Sequence, residues 1–325
     1  MLEVDGLSVR FRRMGALRAR LQGENPYLDA VLGVSLQVRE ATTVALVGES
    51  GSGKTTLGRA IIGLVPAREG SIRFAGAELL GLSDRAFKPH RRAIAMMFQD
   101  PVASLSPRLT IRALVTEPFR IHRLSDRDLK AEAPRLLAMV GLSADFLDRY
   151  PHELSGGQAR RVGTARALAL EPRLIIADEP TAGLDVSVQG EILNLFARLK
   201  DRLGIGYLLI THNLPVVRRV SDHIAIMYLG RLVEQGPTAA VFARPAHPYT
   251  LALLATTPRP DPALRRAEVE LKGEIPSLAN RPPACEFHTR CPFVQTRCRA
   301  EAPTLREVAP GHFAACHFPF PTPQR

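Results

Sequence analysis

Nine consecutive residues, Gly48-Glu49-Ser50-Gly51-Ser52-Gly53-Lys54-Thr55-Thr56, have the types and spacing that can cradle a polyphosphate. Glycines let successive backbone N–H groups wrap an anion without interference from a Cβ. A helix opening at the end of such a turn adds the positive end of its dipole. In the pattern G-x-x-x-x-G-K-[ST], Lys54 reaches the β/γ-phosphates and the Thr55 hydroxyl takes one place on Mg²⁺. The pattern has mechanical meaning only between a strand and a helix. Val44-Ala45-Leu46-Val47 supplies the one and Leu57 to Leu64 the other. The stretch reads as a nucleotide site.

A second chemistry-bearing stretch is Leu174-Ile175-Ile176-Ala177-Asp178-Glu179-Pro180. A continuous apolar run of this length predicts a strand buried on both faces of a parallel sheet. It delivers two carboxylates to the sheet edge where ligands bind in open α/β folds. Asp178 has the position of the Mg²⁺-holding aspartate of P-loop NTPases. Glu179, pointing differently, is placed to polarise an attacking water. Two more polar groups end apolar strands: Gln99, before Asp100-Pro101, and His212, in Thr211-His212-Asn213. Gln99 can reach a metal or a water, and His212 can contact a γ-phosphate. Ser155-Gly156-Gly157-Gln158 opens a further helix and forms another anion-ready N-terminus.

All four cysteines, Cys285, Cys291, Cys298 and Cys316, fall in the last eighth of the 325-residue chain. A cytoplasmic setting disfavours disulfides, so clustered thiols point to a metal or cluster. The spacing lacks the paired C-x₂-C of zinc ribbons and does not match the ferredoxin patterns. A four-thiolate site for Fe–S or zinc, or four free thiols, are the readings open from spacing alone. His288, His312 and His317 are further candidate ligands.

These groups must be held by ordered elements. Leu7, Val9 and Phe11 alternate with polar residues, as do Val34, Leu36 and Val38, which predicts two half-buried strands. Between them Arg12 to Ala30 reads as an Arg-rich loop with Gly15, Gly23 and Pro26. Phe11 and Tyr27 are the aromatics able to stack on a purine there. Short strands are expected at Ser71 to Phe74 and Ala93 to Phe98. From Ile111 to Tyr150 the period becomes helical, through Leu129, Ala133, Leu136, Leu137 and Val140. That predicts an inserted helical subdomain, followed by a helix from Ala159 to Leu170. After the turn Ala182-Gly183-Leu184-Asp185, a helix carries Ile192, Phe196, Leu199 and Leu203 on one face. Tyr207 to Ile210 is another buried strand, and strands near Ile224 to Met227 and Arg231 to Glu234 close the α/β region near Gly236. More than half of the 26 prolines lie beyond Arg244, so apart from a helix near Pro248 to Ala255 the tail is expected to be irregular.

A hydrophobic content of 46% is ample for a core, and 23% charged residues argue against wholesale disorder. No apolar run reaches membrane-spanning length. Met1-Leu2-Glu3-Val4-Asp5 is no signal segment, so a cytoplasmic location is expected. The net charge of +11 comes mainly from arginines scattered along the chain, among them Arg12, Arg13, Arg18, Arg20, Arg160, Arg161, Arg265 and Arg266. No nucleic-acid motif accompanies them, so a solvated surface attracted to acidic lipid or a partner is the better reading.

In order and spacing, the phosphate loop, Gln99, Leu154-Ser-Gly-Gly-Gln158, Leu174 to Glu179, Leu184-Asp185 and His212 resemble the ATP-binding cassette ATPases over residues 1–236. The resemblance implies a RecA-like α/β P-loop core with an antiparallel β subdomain and an inserted helical subdomain at about residues 100–165. It implies ATP and Mg²⁺ (held by Thr55, Gln99 and Asp178), with Glu179, His212 and Gln99 catalytic and Phe11 at the base. Ser155, Gly156, Gly157 and Gln158 would close on nucleotide held by a second cassette, and Asp185 would make a dimer contact. Gln99-Asp-Pro-Val-Ala-Ser-Leu-Ser-Pro-Arg108, His247-Pro-Tyr-Thr250 and the cysteine tail of 237–325 look like the ATPase subunits of oligopeptide/dipeptide-type importers. In that group the four cysteines are associated with a [4Fe–4S] cluster. Expected partners are a second ATPase subunit, identical or homologous, two transmembrane permeases and an extracytoplasmic binding protein, with the chain at the cytoplasmic membrane face. Peptides are the expected cargo, with nickel or glutathione as alternatives. A soluble non-transport ABC ATPase or an Fe–S-linked sensor is the competing class. The chain departs from the family at Asn213, where Asp is usual, and at Ala182-Gly183, where Ser-Ala is commoner.

Overall fold

The computed structural model describes residues 1–15, 25–100, 103–124, 126–255, 271 and 273–320. Arg18, Arg20, Gly23, Arg265, Arg266 and the Pro101-Val102 step lie outside the described residues. The strands are β1 (Leu2–Arg12), β2 (Tyr27–Val38), β3 (Thr43–Val47), β4 (Glu69–Phe74), β5 (Ala77–Glu78), β6 (Ile94–Met97), β7 (Leu174–Asp178), β8 (Gly206–Ile210), β9 (His223–Tyr228), β10 (Arg231–Pro237), β11 (Arg306–Ala309) and β12 (His312–Ala314). The helices are α1 (Lys54–Ile61), α2 (Asp84–Phe87), α3 (Ile111–Ile121), α4 (Leu129–Met139), α5 (Gly156–Leu168), α6 (Val186–Leu203), α7 (Leu214–Val220), α8 (Thr238–Ala243), α9 (Pro248–Ala255) and α10 (Thr296–Ala300).

The chain forms two compact units, neither of them continuous in sequence. One comprises Met1–Gln37, Val44–Leu80 and Thr211–Arg325; the other comprises Val38–Thr43 and Gly81–Ile210. In the first unit one sheet has the order β2-β1-β4-β5, with β1 antiparallel to β4. A second sheet runs β11-β12-β10-β9-β3, and its β3–β9 pair is parallel. Every residue of β3 is buried, as its unbroken apolar pattern demands. The core beside it includes Ile224, Ile226, Tyr228, Tyr249 and Phe287. In the second unit β8, β7 and β6 are parallel neighbours, and both β7 and β8 are buried along their whole length. Helices α3, α4 and α5 pack together there, with Leu114, Leu136, Leu137 and Val162 at their shared core.

Three elements differ from expectation. β2 begins at Tyr27, so Tyr27 to Ala30, expected in the loop from Arg12, are strand paired into the β2-β1-β4-β5 sheet. Leu203 is 44% exposed, so the apolar stripe of α6 ends at Leu199, one turn before the helix stops at left-handed Gly204. The tail is not wholly irregular. It also contains α10 and the antiparallel pair β11–β12, and β12 adds itself to the edge of β10 through Glu234↔Ala314 and Gln235↔Phe313.

A buried polar network joins β10, β12 and α9 in the first unit. The Glu234 carboxylate is fully buried and accepts the backbone N–H groups of Ala246, at 2.7 Å, and His247, at 2.8 Å. Its Oε1 lies 2.7 Å from His312 Nε2. His247 Nδ1 accepts the Tyr249 N–H at 3.0 Å, and burial pushes this imidazole down to about 4. A histidine kept neutral in the fold loses protons that the unfolded chain would still bind. The stability it contributes is complete above about pH 6.5 and is lost as pH falls towards about 4, by about 3 kcal/mol. Thermal midpoints recorded across that window should fall with acidification, and His247→Asn should flatten the slope. An unchanged slope would mean that other groups set it.

Candidate nucleotide site

The first unit carries the phosphate loop. Strand β3 ends at Val47, and the chain turns through Gly48 to Gly53 before α1 begins at Lys54. The turn depends on glycine at two close approaches. A Cβ on Gly48 would stand 2.2 Å from the Met227 carbonyl oxygen, and one on Gly53 would stand 2.3 Å from that of Ala30. Gly53 also has φ +98°, which L side chains rarely adopt. Lys54 is buried, and its Nζ donates to the carbonyls of Gly48 and Glu49, each at 2.8 Å, and to Ser52 Oγ at 3.3 Å. The ammonium is thus drawn along the inside of the loop. Ser50 and Gly51 form the exposed crest, while Thr55 and Thr56 occupy the first turn of α1. Gly230 in the β9–β10 turn braces the loop by donating its N–H to the Ser52 carbonyl at 2.9 Å.

Both candidate aromatics are partly exposed, Phe11 near the end of β1 at 38% and Tyr27 at 45%, with the Arg10 guanidinium 5.5 Å from the centre of the Tyr27 ring. His212 is exposed just after Thr211, and Asn213 caps α7 by accepting the Val216 N–H at 3.2 Å. Asn can accept such a bond as well as Asp, so the departure at 213 preserves the cap.

The second unit carries the carboxylates. Asp178 closes β7 and is 2% exposed. Glu179 follows with φ +50°, its N–H donated to the Ile210 carbonyl at 2.8 Å. Left-handed backbone at a glutamate costs about 1–2 kcal/mol and persists because its surroundings impose it. Arg160, on α5, is one of those surroundings. It is buried and donates from Nη1 to the Glu179 carbonyl at 3.1 Å and from Nη2 to that of Ala182. Burial pulls this guanidinium below its ordinary pKa. Read from sequence as one of many scattered cations, it is a brace of the turn after β7.

Ser155 caps α5 in a reciprocal box. Its Oγ accepts the Gln158 N–H at 3.3 Å while Gln158 Oε1 accepts the Ser155 N–H at 2.9 Å. A Cβ on Gly157 would stand 2.7 Å from Val188 Cγ1, and one on Gly156 would stand 3.4 Å from Leu184 Cδ2. Gly157 therefore lets the start of α5 approach the start of α6. Asp185 caps α6, accepting the Val188 N–H at 2.9 Å and the Ser187 hydroxyl at 2.7 Å. Those bonds, the Val188 N–H foremost, hold its carboxyl below the usual range. Gln99 is exposed just after β6.

The cysteines lie in the first unit. Burial pushes the thiols of Cys285 and Cys316 up to about 11 and raises that of Cys291. Cys316 is close enough to feel the charge of each of the other three, and backbone N–H groups of Phe287, Phe293 and Phe318 face the sulfurs of Cys285, Cys291 and Cys316. The three histidines considered as ligands have other partners. His312 meets Glu234, His288 Nδ1 meets the Cys285 carbonyl at 2.8 Å, and His317 Nε2 meets the Glu301 carbonyl at 2.9 Å. Among the described residues, no three or more His, Cys, Asp or Glu side chains converge as a set able to hold one metal ion.

Residues 31–182 match the family model described as ABC transporter, and residues 233–298 match that described as oligopeptide/dipeptide transporter, C-terminal region. The dimeric structure of the ATP-binding cassette MJ0796 in a post-hydrolysis state, bound to ADP and Pi, overlays with a TM-score of 0.65 at 28% identity, covering 73% of this chain and 99% of that one. Strand, phosphate loop, carboxylate strand and fold together define an ATP-binding cassette ATPase, an α/β P-loop protein. The chain is 45% identical over 322 residues to the putative oligopeptide transport ATP-binding protein YkfD of Bacillus subtilis, covering 98% of this chain and 95% of the relative. It is 47% identical to the oligopeptide transport ATP-binding protein AppF of the same organism, covering 98% and 97%. The chain belongs to the family of oligopeptide/dipeptide-type ABC transporter ATP-binding proteins.

Proposed function

We propose that this chain is the ATP-hydrolysing subunit that energises a membrane importer of di- and oligopeptides. The match of residues 233–298 to the oligopeptide/dipeptide transporter C-terminal region carries the importer reading, and the buried carboxylate Asp178 at the end of β7, with left-handed Glu179 next to it, supports hydrolysis. In the proposed site the loop N–H groups, Lys54 and the α1 N-terminus hold the phosphates, with Phe11 at the base. Thr55, Gln99 and Asp178 are oxygen donors of the kind Mg²⁺ takes, and the ion would spread the charge developing on the transferred phosphoryl group. Glu179 accepts a proton from the attacking water, and His212 and Gln99 orient the γ-phosphate and that water. Ser155, Gly156, Gly157 and Gln158 complete the site of a second cassette, with Asp185 at the contact. The dimeric arrangement of MJ0796 supports this pairing.

The proposed division is a cassette over 1–236, with its helical subdomain at about 100–165, and an importer-type extension over 237–325. Two permeases and an extracytoplasmic binding protein complete the assembly, and cargo selection belongs to them. Among the described residues no helix is long and apolar enough to cross a membrane, in keeping with a peripheral subunit at the cytoplasmic membrane face. For the four cysteines we favour a [4Fe–4S] cluster over zinc. That preference rests on the spacing of Cys285, Cys291, Cys298 and Cys316, which resembles that of the tails of the importer group. Purified anaerobically with its partner subunits, the protein should release phosphate from ATP only with Mg²⁺, faster in the presence of peptide-loaded binding protein. It should also show visible charge-transfer absorbance that Cys298→Ser removes. Zinc in stoichiometric amount would overturn the cluster, and absence of phosphate release would overturn the ATPase reading.

A further inference from the structure

The phosphate loop is held from behind by residues about two hundred positions downstream. Arg290 donates to both oxygens of the Glu49 carboxylate, Nη1 to Oε2 at 2.8 Å and Nη2 to Oε1 at 3.0 Å. Such paired bonds fix direction as well as distance. Arg290 is buried, with its guanidinium also 5.9 Å from the centre of the Tyr228 ring. The Glu49 N–H is donated not into the phosphate cradle but to Tyr249 Oη, at 3.0 Å. The Glu49 carbonyl accepts Lys54 Nζ at 2.8 Å and the Ser52 N–H at 3.2 Å. Every polar group of Glu49 is therefore engaged. Two sides face the C-terminal segment, and the third faces the lysine of the loop.

The downstream partners are themselves rigidly placed. Tyr249 is fully buried, with ring centres 4.9 Å from Tyr228 and 5.5 Å from Phe287. Its backbone is tied to His247 and through that residue to Glu234. Arg290 closes a turn in which its N–H and that of Cys291 both donate to the Phe287 carbonyl at 3.0 Å. Phe287 thus contacts one anchor through its ring and the other through its carbonyl.

We infer that Arg290 and Tyr249 are positioning residues for the nucleotide site, so that the C-terminal segment sets the phosphate loop's geometry through Glu49. The inference rests on the reading of Gly48 to Thr56 as the nucleotide cradle. If Glu49 is released from Arg290, its backbone keeps only the Tyr249 and Ser52 bonds, so the carbonyl that accepts Lys54 is held less tightly. Nucleotide binding should weaken, while the water-activating glutamate in the other unit is untouched. The effect belongs in KM and Kd more than in kcat.

The test uses the full-length chain assembled with its partner subunits, with Mg-ATP and a fluorescent trinitrophenyl-ATP probe. Arg290→Gln is expected to raise Kd and KM for ATP about tenfold with kcat within about twofold, the loss of a charge-assisted pair. Arg290→Lys should recover part of the affinity, and Tyr249→Phe should raise Kd about threefold. Because both partners act through one contact, Glu49→Gln combined with Arg290→Gln should be no weaker than Arg290→Gln alone. A lowered thermal midpoint with unchanged Kd would make the contact a structural brace only and overturn the inference, as would additive effects in the double variant. Should Arg290→Gln fail to fold, Tyr249→Phe and Arg290→Lys decide: wild-type affinity in both overturns it. Failure of the wild-type protein to bind ATP would instead bring down the nucleotide-site reading itself.

Discussion

Changing Glu179 to Gln is expected to lower kcat for ATP hydrolysis by about 10²–10⁴-fold, the usual contribution of a positioned general base, while Kd for ATP stays within about twofold. Gln has nearly the shape of Glu, and three backbone features that help to aim the side chain do not depend on its charge. They are the N–H bond to Ile210, the Arg160 bond to the residue's own carbonyl and the left-handed backbone. All three survive the change, so the variant should fold normally and differ in proton affinity. Without a base to take the proton from water, the site should bind ATP and hold it. A dimer of cassettes that closes on ATP should then persist, visible as a stable larger species on size exclusion when Mg-ATP is present. Single-turnover phosphate release separates this from slow product release. Turnover within about fivefold of wild type would remove Glu179 from the base role. Asp178, one residue earlier and almost wholly buried, would become the group to examine.

Parts of the site that are contiguous in sequence could be read there, and the parts assembled from distant segments could not. Val44 to Val47 and Leu174 to Ala177 are unbroken apolar runs, and a fully buried strand is the element such runs satisfy. The Ser155–Gln158 box is a local device whose partners lie within a few residues, and the glycines between β3 and α1 are legible from their spacing, although the carbonyls they approach belong to Ala30 and Met227. Arg290, Tyr249 and Glu234 carry no such local mark. Arg290 looks like an ordinary residue of a proline-rich tail, Tyr249 like part of a short helix and Glu234 like a strand residue, until the fold brings each to Glu49 or to the turn holding His247. Arg160 and Arg161 show the same limit. In composition they are equivalent surface charges, yet one is buried against the carbonyls after β7, while the other bonds the Val140 carbonyl at 2.7 Å and Glu191 at 2.8 Å. The strands β11 and β12 were hidden because four and three residues around Gly311 are too few to show a period of two.

Gly53→Ala should abolish nucleotide binding, raising Kd for ATP by more than about 100-fold, and should also lower the thermal midpoint. Two penalties combine at this position. The backbone has φ +98°, and an L residue with a Cβ in the left-handed region costs about 1–2 kcal/mol. The added methyl would also stand 2.3 Å from the Ala30 carbonyl oxygen and 3.2 Å from Met227 Cε. Met227 can swing aside, but Ala30 belongs to β2, so its carbonyl can move only by shifting a strand. The cheaper relief is for the end of the loop to move away from β2, and Lys54 and Thr55 move with it because they are the first residues of α1. Gly51→Ala is the matched comparison. Its φ is +77°, but nothing lies within 4 Å of the new Cβ, so it pays the conformational penalty alone. A loss of about 1–2 kcal/mol there should lower the midpoint by roughly 1.5–3 °C and raise Kd for ATP less than Gly53→Ala does. If both variants bind ATP alike, backbone strain is common to them and the approach to Ala30 has no part in shaping the cradle.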